Sequence, residues 1–269
     1  MIKVEHVVLT SPEQMEFIIE GMRNPMNSWE RSDSYYNYDV SYDEETGAEI
    51  HHPYYRVSAG DRSLMQKLAN AGTDHRKFMR MMPVYVRITA PLYWWKEFDT
   101  YKVGTVANSC STMHKIQEKE FTLDDFSHEH ILNALNSDVC INDDDFDGPL
   151  YPDDVLFDIV CMLNKCRDKY LETKDKKYWW QMIQLLPSSY NQTRNVMTNY
   201  EVLANIYKSR KDHKLDEWRD FCKWIEELPY SELICGYCFK DYEDGSSSVA
   251  AIGDHRRGTG LWMPGDEEE

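Results

Sequence analysis

The chain has 269 residues, 42% of them hydrophobic, which is enough to bury the core of one large domain or two small ones. Its formal net charge of −17 excludes a protein that coats nucleic acid, whose surface would be basic, while leaving room for a nucleotide in a small basic pocket. No apolar run is long enough to predict a membrane-spanning helix, so no membrane partner is expected. The opening MIKVEHVVLTSPEQ lacks the apolar stretch of a signal peptide. The cysteines number seven, an odd count, and reduced thiols in a cytoplasmic setting are the expectation.

Ile2 to Leu9 reads as a strand. Ser11, Pro12 and Gln14 then spell a helix start, with Ser11 as N-cap and Gln14 completing a capping box. Met15, Ile18, Ile19 and Met22 form one apolar helix face. Residues 29 to 55 are polar and tyrosine-rich and read as an insertion or lid, with a turn at Asp43-Glu44-Glu45-Thr46-Gly47. Leu64, Met65, Leu68 and Ala71 predict a short helix that Gly72 ends.

Residues 84 to 115 are the centre of the chain. Val84, Val86, Ile88 and Ala90 alternate with Tyr85, Arg87 and Thr89, the period of a half-buried strand. Pro91 ends it, and Leu92, Tyr93, Trp94, Trp95 and Phe98 follow. From Thr100 to Lys115 the residues are small and hydrogen-bonding. Two readings stand: a solvated loop capping its own backbone, or a bed of donors for an anion or polar ring.

Phe121 to Leu135 reads as a helix with Thr122 as its cap. Asp143 to Gly148 matches half of a calcium loop, but the twelfth position is Asp154 rather than Glu, and an acidic solvated turn is the favoured reading. Asp153 to Leu186 carries a long helical pattern with a break near Thr173 to Lys176. Two further helices are expected over Thr193 to Arg210 and His213 to Leu228. Cys235-Gly236-Tyr237-Cys238 is a lone pair of thiols that cannot close a zinc tetrahedron. The segment 240 to 269 reads as a disordered acidic tail.

The central stretch resembles the flavin-dependent thymidylate synthases. In that family a strand ending in Ala-Pro leads to a helix and then to Arg-His-Arg-x-x-Ser-x-Asn-x-x-Ser-x-Arg. Ala90 and Pro91 match the strand end, and the triplet falls on Thr100, Tyr101 and Lys102. Thr105 takes the first Ser, Asn108 and Ser111 take the Asn and second Ser, and Met113 stands at the last Arg. Further on, Leu186-Pro187, Asn199, Asn205 and Arg210 keep the family's spacing, while Ile183 and Glu201 stand where it has arginines. Gly72, His75 and Phe78 echo its Gly-His-x-x-Pro-Phe segment. Its Arg-x-Ser flavin segment falls on Arg23 to Ser28 by order along the chain, or on Arg56-Val57-Ser58 by literal match.

The resemblance implies an α/β (α+β) fold over residues 1 to 239, with a mixed central sheet, surrounding helices, an insertion at 29 to 55 and a homotetrameric assembly. It implies methylation of dUMP to dTMP with reduced FAD, methylenetetrahydrofolate and NADPH. Arg210 would be catalytic and bind substrate, with Asn108 and Ser111 beside it as substrate ligands. His75, Lys102, Asn199 and Asn205 would hold the flavin. Cations are missing at Thr100, Met113, Ile183 and Glu201, so Arg80, Arg87, Lys96, Lys115 or a neighbouring subunit must compensate. Two alternatives stay open: modification of another pyrimidine nucleotide, such as hydroxymethylation, and a non-catalytic nucleotide-binding protein.

Overall fold

The computed structural model describes residues 2–141 and 148–236. In chain order, β1 (Lys3–Val8) feeds α1 (Pro12–Arg23). Next come β2 (Tyr35–Tyr42), β3 (Glu49–Arg56) and α2 (Ala59–Asn70), and β4 (Pro83–Pro91) then enters α3 (Leu92–Phe98). The elements β5 (Val106–Ser109), α4 (Thr112–Lys115), α5 (Pro152–Thr173) and α6 (Lys176–Leu185) follow. The last are β6 (Asn191–Asn199), α7 (Tyr200–Arg210), α8 (Asp216–Glu226) and α9 (Glu232–Cys235). The fold is α/β: one sheet runs in the order β1-β4-β6-β5, and β2 and β3 pair separately as an antiparallel hairpin.

Local chemistry accounts for most boundaries. The Ser11 hydroxyl accepts from the Gln14 amide at 3.3 Å, and the Gln14 side chain accepts from the Ser11 amide at 3.0 Å, which closes the expected capping box. Met15, Ile18, Ile19 and Met22 are buried, each worth roughly 1.5–3 kcal/mol on leaving water. In β4 the residues Val84, Val86, Ile88 and Ala90 are buried, while Tyr85 and Arg87 are exposed. The hairpin turn is held by Asp43, whose Oδ1 accepts from the amides of Glu45 and Thr46 at 3.1 and 2.7 Å. The α5–α6 break falls where expected: Lys174 is left-handed at φ 58°, and Asp175 caps α6 through the Lys177 amide at 2.9 Å.

Two expectations are corrected. The segment 193 to 199 is not helix but the larger part of β6, and α7 begins only at Tyr200. Thr193, Val196 and Thr198 are β-branched, and Gln192, Val196 and Thr198 are buried at even spacing, so the strand period wins over the helical one. Residues 121 to 135 form no α-helix. Thr122 caps only a single 3-10 turn, Leu123–Asp125. Phe126 is then drawn into extended backbone by a bridge to Tyr190, and the Ser127 amide donates to the Ser189 carbonyl at 2.8 Å. The half calcium loop, apart from Gly148, and the acidic tail lie outside the described residues, as do two members of the Cys235–Cys238 motif. Asp154 itself accepts from the Tyr151 amide at 2.9 Å and starts α5.

Contacts divide the chain into two compact units. One comprises the chain up to Lys3, Ile88–Thr100 and Asn108–Arg194. Its core joins Phe121, Phe126, Leu156, Val160, Leu163 and Met182. Trp94 and Trp95 belong to the same unit and are fully buried, and Trp95 Nε1 donates to the Gln192 carbonyl at 2.9 Å. The other comprises Val4–Arg87, Tyr101–Ala107 and residues 195–236. There α1 packs on β3 and on the 3-10 turn Lys77–Met81, and α7 packs on that same turn and on α8 and α9.

Candidate functional site

The second unit gathers most of the expected site residues around α7. Asn199 is buried and is the N-cap of that helix: its Oδ1 accepts from the Val202 amide at 3.1 Å. Its Nδ2 faces Gly104, where an added Cβ would stand 2.8 Å away. Gly104 also has φ +71°, a conformation costly for any residue with a Cβ. The glycine therefore lets the loop after Lys102 close on the cap. Replacing Gly104 with Ala is expected to cost about 1–2 kcal/mol for the left-handed backbone, plus the clash. Thermal denaturation checks this, and an Asn199→Ser change in the same background should return part of the loss. No such recovery would mean that the contact is unimportant.

Arg210 closes α7. Its Nε donates to the Tyr101 hydroxyl at 3.0 Å, and its guanidinium lies 4.9 Å from the Trp218 ring centre and 5.9 Å from that of Tyr101. Trp218 is fully buried and meets Tyr101 edge to face at 6.1 Å. The aromatic pair thus fixes the direction of a planar cation able to meet a planar acceptor. Tyr101, the middle residue of the changed triplet, is therefore a support for Arg210. Its neighbours Thr100 and Lys102 are exposed.

In the first turn of α7, Glu201 is buried between two arginines. Arg76 donates from Nε to Glu201 Oε1 at 3.2 Å and from Nη2 to Asn205 Oδ1 at 3.0 Å. Arg80 grips both oxygens of the carboxylate, through Nε on Oε2 and through Nη2 on Oε1 at 3.3 Å. The packing of the Lys77–Met81 turn on α7 brings these groups together. Sequence reasoning placed Asn205 here but missed Arg76 and the pairing. The available signal was the closeness of Arg76 and Arg80 in sequence, at the start of one short turn and within it. His75 lies just before Arg76, exposed, with its amide donating to the Gly72 carbonyl at 3.1 Å.

Other expected residues lie elsewhere. Asn108 is an exposed residue of β5 and Ser111 caps α4, accepting from the His114 amide at 3.1 Å; both belong to the first unit. Arg23 and Ser28 do meet, since Arg23 Nη1 donates to the Ser28 hydroxyl and carbonyl at 3.3 Å. Arg23 also donates from Nε to Asp61 at 2.6 Å, so both bonds tie the segment to its own unit. Among the cations expected to compensate, Arg80 is paired with Glu201, Lys115 with Glu118, and Arg87 Nε donates to Asn195 Oδ1 at 3.3 Å. Burial pushes the Cys235 thiol up to about 12, so it stays protonated at neutral pH.

No protein-family model and no curated protein sequence matches the chain. Solved structures do match. The crystal structure of Thymidylate Synthase X (ThyX) from Helicobacter pylori with FAD and dUMP aligns with a TM-score of 0.54 at 16% identity, over 87% of this chain and 95% of that one. A second structure, of flavin-dependent thymidylate synthase ThyX from Helicobacter pylori complexed with FAD and dUMP, aligns with a TM-score of 0.52 at 16% identity, over 87% and 96%. This chain has the fold of the flavin-dependent thymidylate synthases.

Proposed function

We propose that this chain is a flavin-dependent enzyme that methylates dUMP to dTMP, with methylenetetrahydrofolate as the carbon source and NADPH as the reductant. Its catalytic domain would be residues 1 to 239, working as a cytoplasmic homotetramer. The observation that carries the reading is Arg210, braced by Tyr101 and Trp218 at the end of α7, on a fold whose solved examples hold FAD and dUMP. A braced guanidinium beside the pyrimidine would meet negative charge as it develops on the ring carbonyl. Asn108 and Ser111, which the resemblance implies as substrate ligands, carry an amide and a hydroxyl able to hydrogen-bond a phosphate.

The donor set fits a flavin nucleotide. Asn205 is exposed on α7 with its carboxamide held by Arg76, Lys102 and His75 are exposed, and the Asn199 amide sits at the helix start. These residues would bind and orient FAD, which when bound supplies the hydride. A second reading, action on a different pyrimidine nucleotide, is favoured by one feature: a carboxylate, Glu201, stands where the resemblance expects an arginine.

The deciding measurement is the visible absorbance of the purified protein, followed by tritium release from the 5-position of labelled dUMP. A flavin band that NADPH bleaches, with folate-dependent tritium release, is the expected result. Flavin without tritium release would favour the second reading. A colourless protein that fails to take up added FAD would sink both.

A further inference from the structure

We infer that the free edge and aromatic face of β2 form a docking site for an extended segment of a partner protein, one in which apolar and cationic residues alternate. β2 and β3 pair through all eight residues of each strand, and no other strand joins them among the described residues. The base of this ribbon is anchored: Tyr55 is buried, β3 packs on α1, and the Tyr36 hydroxyl donates to Glu16 at 3.0 Å. β2 itself is exposed at every position except Asn37. Toward the turn, Tyr38, Val40 and Tyr42 are 56%, 43% and 65% exposed, too much apolar surface for a strand that is covered.

A two-stranded ribbon is marginal by itself in water, and its outer edges offer backbone N–H and C=O groups to a further strand. The two edges differ. Pro53 removes a donor from β3, whereas β2 contains neither proline nor lysine, the residues that blunt an edge. β2 is therefore the side on which a strand adds, by main-chain pairing that leaves its side chains to decide specificity.

The register fixes what that strand must carry. Tyr36, Tyr38, Val40 and Tyr42 share one face with His51 and Pro53, and the Tyr38 ring lies 4.8 Å from that of His51. Asn37, Asp39 and Ser41 lie on the other face, which is polar: Asn37 Nδ2 donates to the Tyr54 hydroxyl at 3.0 Å, and Ser41 Oγ meets His52 Nε2 at 2.7 Å. Asp39 makes no ion pair among the described residues. The turn adds Asp43, Glu44 and Glu45, and β3 adds Glu49, against the single cation Arg56 at the base. An added strand thus meets aromatic surface on one side and carboxylates on the other, which selects apolar residues alternating with lysine or arginine. The hairpin of a second copy carries the same acids, so like charge disfavours it as the occupant. None of these residues takes part in the proposed reaction.

Amide hydrogen exchange of the full chain tests the site, with a capped octapeptide of alternating lysine and valine as the probe. Two controls accompany it: a peptide of the same composition with its lysines and valines in separate blocks, and an alternating peptide of glutamate and valine. Only the alternating lysine peptide is expected to slow exchange over residues 35–42. Asp39→Lys should weaken its binding about tenfold, because an attractive cross-strand pair becomes a repulsive one. Tyr38→Ser should weaken it in the same direction by removing apolar surface. Both side chains are exposed, so neither change touches the core. No slowing at millimolar peptide, equal slowing by either control, or binding that neither variant weakens overturns the proposal. Slowing that grows with protein concentration and needs no peptide assigns the edge to a second copy and overturns it as well.

Discussion

Arg210→Ala is expected to lower the rate of tritium release from the 5-position of dUMP by about 10²–10³-fold, the usual consequence of removing one preorganised donor from a site of developing charge. The size follows from how the side chain is held. Its Nε is fixed by the Tyr101 hydroxyl and its plane by the buried Trp218, so in the proposed role the guanidinium would meet the ring already oriented. Arg210→Lys should recover little, since an ammonium cannot form the same fork or lie flat on an indole. Tyr101→Phe separates support from chemistry: it removes the hydroxyl but keeps the ring, and it should cost much less, about tenfold, by letting the guanidinium wander. The melting temperature of each variant must stay close to wild type for the comparison to hold. If Arg210→Ala turns over at the wild-type rate while folded, Arg210 is not in the site and the mechanism fails.

The parts of this fold that could be read from sequence are those set by local chemistry. The Ser11-to-Gln14 box, the β4 alternation, the Asp43 turn and the break at Lys174 each depend on a few adjacent residues, and each appears as expected. The parts misread depend on distant partners. Residues 193 to 199 show apolar positions that fit a helix when extended back from α7, and their β-branched residues become decisive where neighbouring strands pair with them as β6. Phe126 is extended because Tyr190 lies across from it, a pairing far apart in sequence. The site shows the same division. Asn199, Asn205 and Arg210 were expected from the spacing of the family that the chain resembles, and the structure places them at the start of α7 and along it. The cluster that complements Glu201 was not, because Arg76 and Arg80 lie more than 120 residues away from it. Arg80 could be read only as one of several candidate cations, and its bond to Glu201 appears once the turn is folded against the helix.

Arg23→Ala is expected to destabilise the protein by about 3–5 kcal/mol, because it leaves a buried carboxylate without its cation. Asp61 is fully buried, and three donors converge on its carboxylate. Arg23 Nε lies 2.6 Å from Oδ1, and the hydroxyls of Ser32 and Ser34 each lie 2.6 Å from Oδ2. The intervening Asp33 accepts from the amides of Gly60 and Asp61 at 2.7 and 2.9 Å, so the Ser32-Asp33-Ser34 run pins the start of α2. Burial pushes the Asp61 carboxyl up, but the hydrogen bonds from Ser32, Ser34 and Arg23 and the charge of Arg23 outweigh it and hold the group below the usual carboxylate range. A carboxyl depressed on folding contributes stability that is present above its unfolded value, about 3.9, and is lost as pH falls through the folded value. In Arg23→Ala the cation and its bond are gone while burial and the two serine bonds remain, so the folded carboxyl rises relative to wild type and less stability is present above the unfolded value. Denaturant titrations of both proteins across the acid range should therefore show a gap in stability that is widest near neutral pH and narrows as pH falls. A gap that is small at neutral pH, or that stays constant with pH, would show that Arg23 and Asp61 are not the coupled buried pair that anchors α1 to α2.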